Sequence, residues 1–130
     1  MTDVLDLLSA EDVAMLKVKG YEFQADQVGG SVHLIIKNYP MTEHYTPQTV
    51  DLLLQLPANF PTIHPDMFWT YPEVRRQNGT YPDRADQFYD HAGRRWQRWS
   101  RHLSPGRWRP GTDNLQTYLG VIRRELKKGT

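Results

Sequence analysis

The fold is decided by the segment Val50-Asp51-Leu52-Leu53-Leu54-Gln55-Leu56. Apolar residues at every second position from Val50 to Leu56 predict a strand with one buried face. Two further strands are predicted upstream, over about 21–26 and 32–37, and a short one downstream over about 66–70. Because the links between these strands are short, the pattern predicts an antiparallel meander sheet.

One helix is predicted on each side of this sheet in the chain. The first, over about 10–19, begins after Ser9, whose hydroxyl is a good N-terminal cap. The second is predicted over about 113–127, with Thr112 or Asp113 as its cap. Its apolar face is formed by Leu115, Tyr118, Leu119, Ile122 and Leu126.

The segment 71–112 between the strands and the last helix is predicted to be mostly irregular. Such a length is unusual in a compact domain and favours a functional role. The order helix, strands, irregular segment, helix predicts an α+β fold. We expect one domain over residues 1–130, because 130 residues suffice for a single core.

The composition excludes several kinds of site. The chain has no Cys, so disulfides, thiolate-bound metals and a cysteine nucleophile are excluded. Its five histidines have no metal-ligand spacing and no glycine-rich phosphate motif is present, so we expect no metal and no cofactor. No apolar run reaches the ~20 residues of a membrane span. The beginning of the chain has no secretory pattern, which predicts a cytoplasmic protein that does not contact membranes.

The charge is strongly asymmetric along the chain. Residues 1–90 hold 6 Lys/Arg and 13 Asp/Glu, whereas residues 91–130 hold 10 Lys/Arg and 2 Asp/Glu. In the segment 94–109, six arginines alternate with Trp96, Trp99 and Trp108. This pattern is typical of two structures, a nucleic-acid platform or a segment that tryptophans pin to the core. We favour the second, so a nucleic-acid partner is not expected.

Two proline motifs carry a family resemblance. The first is Phe60-Pro61-Thr62-Ile63-His64-Pro65-Asp66-Met67-Phe68, and the second is Trp108-Arg109-Pro110, directly before the last helix. They resemble the "YPxxPP" and "WxP" elements of the ubiquitin-conjugating enzyme superfamily, and the resemblance covers about residues 8–127. The run Trp96-Gln97-Arg98-Trp99-Ser100-Arg101-His102-Leu103 is similar to a bacterial branch, the prokaryotic ubiquitin-conjugating family E.

The resemblance implies a nucleophile. In eukaryotic members the catalytic cysteine stands eight residues before the tryptophan of "WxP", and Ser100 occupies that position here. The resemblance therefore implies a transferase that carries a ubiquitin-like modifier as an oxyester on Ser100. It also implies three partners, namely the modifier, an activating enzyme and a target protein. The setting that it implies is a bacterial conjugation pathway, with a role in antiphage defence.

A serine hydroxyl needs a general base at neutral pH. His91 and His102 are the candidates, and Asp90 could orient either imidazole as the third member of a triad does. If residues 100–102 are extended, the side chains of Ser100 and His102 share a face. Ser104, a nearby serine, is not expected to carry the modifier and is the control for Ser100.

The environment of Ser100 departs from the family pattern. The His-Pro-Asn element of eukaryotic members, whose Asn supports the oxyanion, is absent, so Asn78 is the candidate substitute. Arg98 and Arg101 are further candidates for oxyanion support or modifier binding. The residues expected to support the site are Trp99, Trp108, Pro61 and Pro65. The modifier's tail is expected to lie between the proline-rich segment and the arginine-rich segment.

Two alternatives remain open at this point. The first is an inactive scaffold of the same fold that binds the modifier or a partner enzyme. The second is a nucleic-acid-binding domain that uses residues 94–109. In addition, the first helix is basic in eukaryotic members, but here that end carries Asp3, Asp6, Glu11 and Asp12. Docking on an activating enzyme would therefore use different charges.

Overall fold

The computed structural model describes residues 4–103 and 106–130, so Asp3 and Ser104 lie outside the described residues. The elements in chain order are α1 Val4–Leu7, α2 Ala10–Val18, β1 Glu22–Val28, β2 Ser31–Pro40, β3 Tyr45–Thr46, β4 Thr49–Leu56, β5 Phe68–Tyr71, β6 Arg75–Arg76, β7 Gln87–His91, β8 Arg94–Trp99 and α3 Leu115–Lys128. Antiparallel pairing gives a six-stranded sheet in the order β1-β2-β4-β5-β8-β7, beside a small β3-β6 ladder. The predicted α+β fold with an antiparallel meander and a helix at each end is confirmed.

Strand β4 lies in the middle of the sheet and carries the core. Its residues Val50, Leu52, Leu54 and Leu56 are all buried and pack in one cluster with the apolar face of α3. Leu53, on the opposite face, is also buried because it packs with Ile35, Trp69 and Trp96 in a second cluster. The period of two in the sequence therefore identified the main core face, and two tryptophans cover the other face.

Helix α3 has the predicted buried face but a different cap. The Asn114 side chain accepts the Thr117 backbone N–H (3.1 Å), and the Thr117 hydroxyl accepts the Asn114 backbone N–H (2.8 Å). This reciprocal capping box starts the helix later than Thr112 or Asp113 would. Asp113 instead accepts the backbone N–H of Arg109 (2.7 Å). The turn before α3 is thereby fixed to the helix.

Most described residues of the segment 71–112 lie outside strands, as expected, but the segment also contains strands that were not predicted. Strands β7 and β8 form a hairpin in this segment, and β8 also pairs with β5. The hairpin turns at Ala92 (φ 50°) and Gly93 (φ 76°), and two successive positive φ angles match the twist of paired strands. Alanine is a rare residue at the first of these positions, which obscured the turn in the sequence. The first part of the Arg/Trp-rich segment 94–109 is thus strand β8, Arg94–Trp99.

None of the helices within the described ranges combines the length and the apolar composition that crossing a membrane requires.

Candidate active site

Ser100 directly follows β8 and is held by the core. The preceding residue, Trp99, is fully buried, stacks on Phe68 (centroids 5.2 Å apart) and donates its indole N–H to the Thr70 hydroxyl (2.9 Å). The Ser100 backbone N–H donates to the Arg84 carbonyl (3.0 Å). These contacts fix the backbone that leads into Ser100, which is itself partly exposed.

The side chains of Ser100, His102 and Asp66 form a chain of hydrogen bonds. Ser100 Oγ lies 3.1 Å from His102 Nε2, and His102 Nδ1 lies 2.7 Å from Asp66 Oδ1. In the tautomer whose Nδ1–H donates to the Asp66 carboxylate, Nε2 offers a lone pair to the serine hydroxyl. This is the geometry of a nucleophile, its base and an orienting carboxylate. The His102 side chain is 48% exposed, so the arrangement is open to a macromolecular substrate.

Asp66 was missed by the sequence reasoning, which considered Asp90 for this role. Asp90 lies on β7, where its register partner is Arg95. Asp66 lies just before β5, 36 residues from His102 in sequence, and the sheet brings the two together. A signal was present, because Asp66 is the only acid within the proline element at 60–68.

In the described part of the chain, the contacts of His91 are with residues of the sheet and not with Ser100. Its ring lies edge-on to Trp69 (5.1 Å) and His33 (5.9 Å), and its Nε2 is 3.4 Å from Gln55 Nε2. Burial, with a further contribution from the nearby His91 ring, lowers the pKa of His33. Among the described residues, His91 therefore belongs to the sheet face of the second cluster.

The predicted oxyanion donors also have other neighbours. The buried Arg101 guanidinium donates to the Asp83 carbonyl (3.0 Å) and the Thr130 carbonyl (2.5 Å). Arg98 donates to the Tyr89 hydroxyl (3.2 Å). The Asn78 amide oxygen accepts the Thr80 backbone N–H (3.1 Å) and the Thr80 hydroxyl (2.7 Å). The buried Arg101 side chain thus fixes the segment after β8 to the backbone of Asp83 and Thr130.

The proline element is tied to the Trp108 segment. The Trp108 indole N–H donates to the Pro61 carbonyl (2.8 Å), and its ring lies beside Phe60 (6.3 Å) and His64 (5.6 Å). Pro65 is buried, and its carbonyl accepts the His64 Nδ1–H (2.7 Å). These contacts hold Asp66 against the segment that carries His102. Trp108 is half-buried, whereas we expected it to be largely buried like Trp99.

The two tryptophans are therefore expected to contribute unequally to stability. Replacing the fully buried Trp99 by Ala should lower the free energy of unfolding by about 3–5 kcal/mol, and Trp108→Ala should lower it by less. Urea unfolding measures both values. A larger loss for Trp108→Ala than for Trp99→Ala would contradict the assignment of Trp99 as the core anchor.

The nucleic-acid alternative loses two of the three tryptophans of its stacking platform. Trp96 and Trp99 have no exposed surface, so neither offers a ring face to a base. The arginines beside them partly cover other aromatic rings instead, with Arg94 over Tyr71 (4.6 Å) and Arg95 over Phe88 (4.4 Å). The interpretation of tryptophans that pin this segment to the core fits these contacts.

Two grooves border the Ser100–His102–Asp66 arrangement. The first, which we call the apolar groove, has a volume of about 290 Å³ and is lined by Ile63, Pro65, Asp66 and Met67, among others. It lies between the proline-rich segment and the sheet residues Gln55 and Trp69 rather than beside the arginines. The second, which we call the cationic groove, has a volume of about 650 Å³. Its lining includes His102, Trp108 and five cationic side chains: Arg84, Arg101, Arg107, Arg124 and Lys128.

Comparison with known proteins supports the resemblance in the proline and tryptophan motifs. No curated protein and no solved structure has detectable similarity to this chain. One protein family does match, described as prokaryotic E2 family E, and the match extends over residues 8–129. It includes the proline element, Ser100 and the "WxP" motif in a single alignment. The chain therefore belongs to prokaryotic E2 family E, a bacterial branch of the ubiquitin-conjugating enzymes.

Proposed function

We propose that the protein accepts the C-terminus of a ubiquitin-like modifier from an activating enzyme, as an ester on Ser100, and passes it to a target. Family membership supports a conjugating-enzyme role in general terms. The observation that supports Ser100 as the carrier is its hydrogen bond to His102, which is in turn oriented by Asp66. An inactive scaffold would not need a serine, an imidazole and a carboxylate in this order.

The first step of the proposal is acyl transfer to serine. Ser100 Oγ attacks the activated C-terminal carbonyl carbon of the modifier, while His102 Nε2 takes the hydroxyl proton. The bond from that carbon to the activating enzyme's leaving group breaks, and His102 returns the proton to that group. Asp66 accepts the hydrogen bond from His102 Nδ1–H throughout and stabilises the transient imidazolium.

The second step is transfer from serine to the target. An oxyester is a less reactive acyl donor than a thioester, so this step depends more on positioning. The apolar groove passes Asp66 and offers apolar walls to an extended modifier tail. Because Arg98, Arg101 and Asn78 bind other groups, the proposal rests on Ser100, His102 and Asp66.

The pathway requires ATP for activation, so we place this chemistry in the bacterial cytoplasm, where ATP is available. We propose a role in antiphage defence because the resemblance implies it.

The expected product is a covalent adduct with ester chemistry. Mixing the protein with its activating enzyme, ATP and the modifier should yield an adduct that survives reducing agent and is cleaved by hydroxylamine. Ser100→Ala should abolish this adduct, whereas Ser104→Ala should not. Ser100→Cys should give an adduct that thiols cleave, because it is then a thioester. An adduct of undiminished yield in Ser100→Ala would overturn the proposal, and no adduct with the unaltered protein would favour the scaffold.

A further inference from the structure

The cationic groove carries an excess of positive charge beside the candidate site. Its lining includes five cations but only two acids, Asp113 and Glu125. Glu125 is already occupied, because it bonds to Lys128 (2.5 Å) and lies 3.9 Å from Arg101 Nη1. Within the described parts of the chain, Arg84, Arg107 and Arg124 form no ion pair. The groove therefore attracts negative charge from outside the chain.

Arg101 supplies a second, independent observation. Its side chain is only 2% exposed and lines this groove. Its Nη1 is buried without a hydrogen-bond partner among the described residues. Buried donors of charged groups are usually satisfied in native proteins, since an unmade bond is costly. The charge of this guanidinium, which lies 3.9 Å from the Glu125 carboxylate, adds to the attraction of the groove for an anionic segment.

The cationic groove lies next to the residues proposed to react. His102 lines the cationic groove, whereas Asp66 lines the apolar groove. The hydrogen-bonded pair of His102 and Asp66 thus lies between the two grooves. A modifier tail in the apolar groove leaves the cationic side of Ser100 open to the molecule that accepts the modifier.

We propose that the cationic groove binds an acidic segment of the target protein and presents that segment's lysine amine to the ester on Ser100. This inference rests on the proposed function. Acidic residues that flank the lysine pair with Arg107 and Arg124 and overcome the repulsion between the cationic wall and the amine. The same wall favours the neutral amine, because nearby cations lower the pKa of a lysine. The neutral amine is the form that attacks an ester.

The modifier passes from Ser100 to the target by attack of the lysine amine on the ester. The amine nitrogen attacks the ester carbonyl carbon, and His102 Nε2 removes a proton from that nitrogen. The bond between the carbon and Ser100 Oγ then breaks, His102 returns the proton to Oγ, and an amide remains on the target. No oxidant, metal or further reactant is required.

Direct binding tests the groove without acylation. The probe is a fluorescein-labelled peptide with one lysine between pairs of glutamates, and the comparison peptide carries glutamines in their place. The glutamate peptide should bind more tightly by fluorescence anisotropy. The double variant Arg107→Gln/Arg124→Gln should weaken this binding about tenfold, the effect of two modest charge pairs. Arg95→Gln is the matched control, because Arg95 lies on β8 over Phe88 and outside the groove.

Aminolysis tests the role of the groove in transfer. The protein is first acetylated on Ser100 with p-nitrophenyl acetate, and removal of the acetyl group by each peptide is followed. The glutamate peptide should accelerate its removal relative to the glutamine peptide, and the double variant should lose this difference.

Each outcome counts for or against the inference. The inference would be overturned if the two peptides bound equally well, or if the double variant and Arg95→Gln lost the same amount of affinity. It would also be overturned if the glutamate peptide bound more tightly but did not accelerate removal of the acetyl group. An oligothymidine that displaces the peptide and binds more tightly would assign the groove to nucleic acid instead. Failure of Ser100 to be acetylated would count against the proposed function and leave the binding result to be judged separately.

Discussion

Replacing His102 by Gln should slow formation of the Ser100 ester by about 10²–10⁴-fold, the usual contribution of a positioned general base. His102 Nε2 lies 3.1 Å from the serine oxygen and is the proton acceptor in the proposed mechanism. Asp66→Asn should have an effect in the same range, because an amide that donates to Nδ1 favours the tautomer in which Nε2 carries the proton. Single-turnover kinetics of adduct formation measures both rates.

The matched controls are the residues that sequence reasoning considered for the same roles. His91→Gln and Asp90→Asn should leave the rate unchanged, since both residues lie on β7 and neither contacts Ser100 within the described residues. Because the side chains of His102 and Asp66 are 48% and 68% exposed, their replacement should change the melting temperature little. An equal loss of rate in His91→Gln, or full activity in His102→Gln, would contradict the assignment of the base.

Leu54→Asp should destabilise the protein by about 4 kcal/mol or more, because it places an unpaired charge in the core. Leu54 has no exposed surface, and its neighbours across the sheet are Leu34 on β2 and Phe68 on β5. Val28→Asp is the matched control, since Val28 is 50% exposed on the edge strand β1. Thermal and urea unfolding measure both variants. A soluble Leu54→Asp protein with an unchanged melting temperature would contradict the placement of the core.

The predictable parts of the fold were those whose pattern is local. The alternation along β4 and the five apolar residues of α3 identify their buried faces directly, because burial of one face imposes a fixed period. The β7–β8 hairpin was not predictable in the same way. Its turn uses Ala92 at a positive φ angle. Its strands mix aromatic and cationic side chains that contact one another, as Arg95 does Phe88 and Arg98 does Tyr89.

In the candidate site, too, the residues that are close in sequence were predictable and the distant one was not. Ser100 and His102 are two residues apart, so an extended backbone was enough to place them on one face. Asp66 reaches His102 only through the pairing of β5 with β8, and sequence spacing does not contain that information. Arg101 was considered for the oxyanion, but its guanidinium turns inward over Trp99 (5.0 Å) and binds the backbone.

The position of the ester in the adduct tests most directly whether the acyl group of the modifier resides on Ser100. Trypsin cleaves after Arg98 and Arg101, so Ser100 lies in the peptide Trp99-Ser100-Arg101, which has no other hydroxyl side chain. Ser104 falls in the next peptide, residues 102–107. Mass spectrometry of the digested adduct should find the C-terminal remnant of the modifier on the first of these peptides. A remnant on residues 102–107, or on a lysine, would contradict the account.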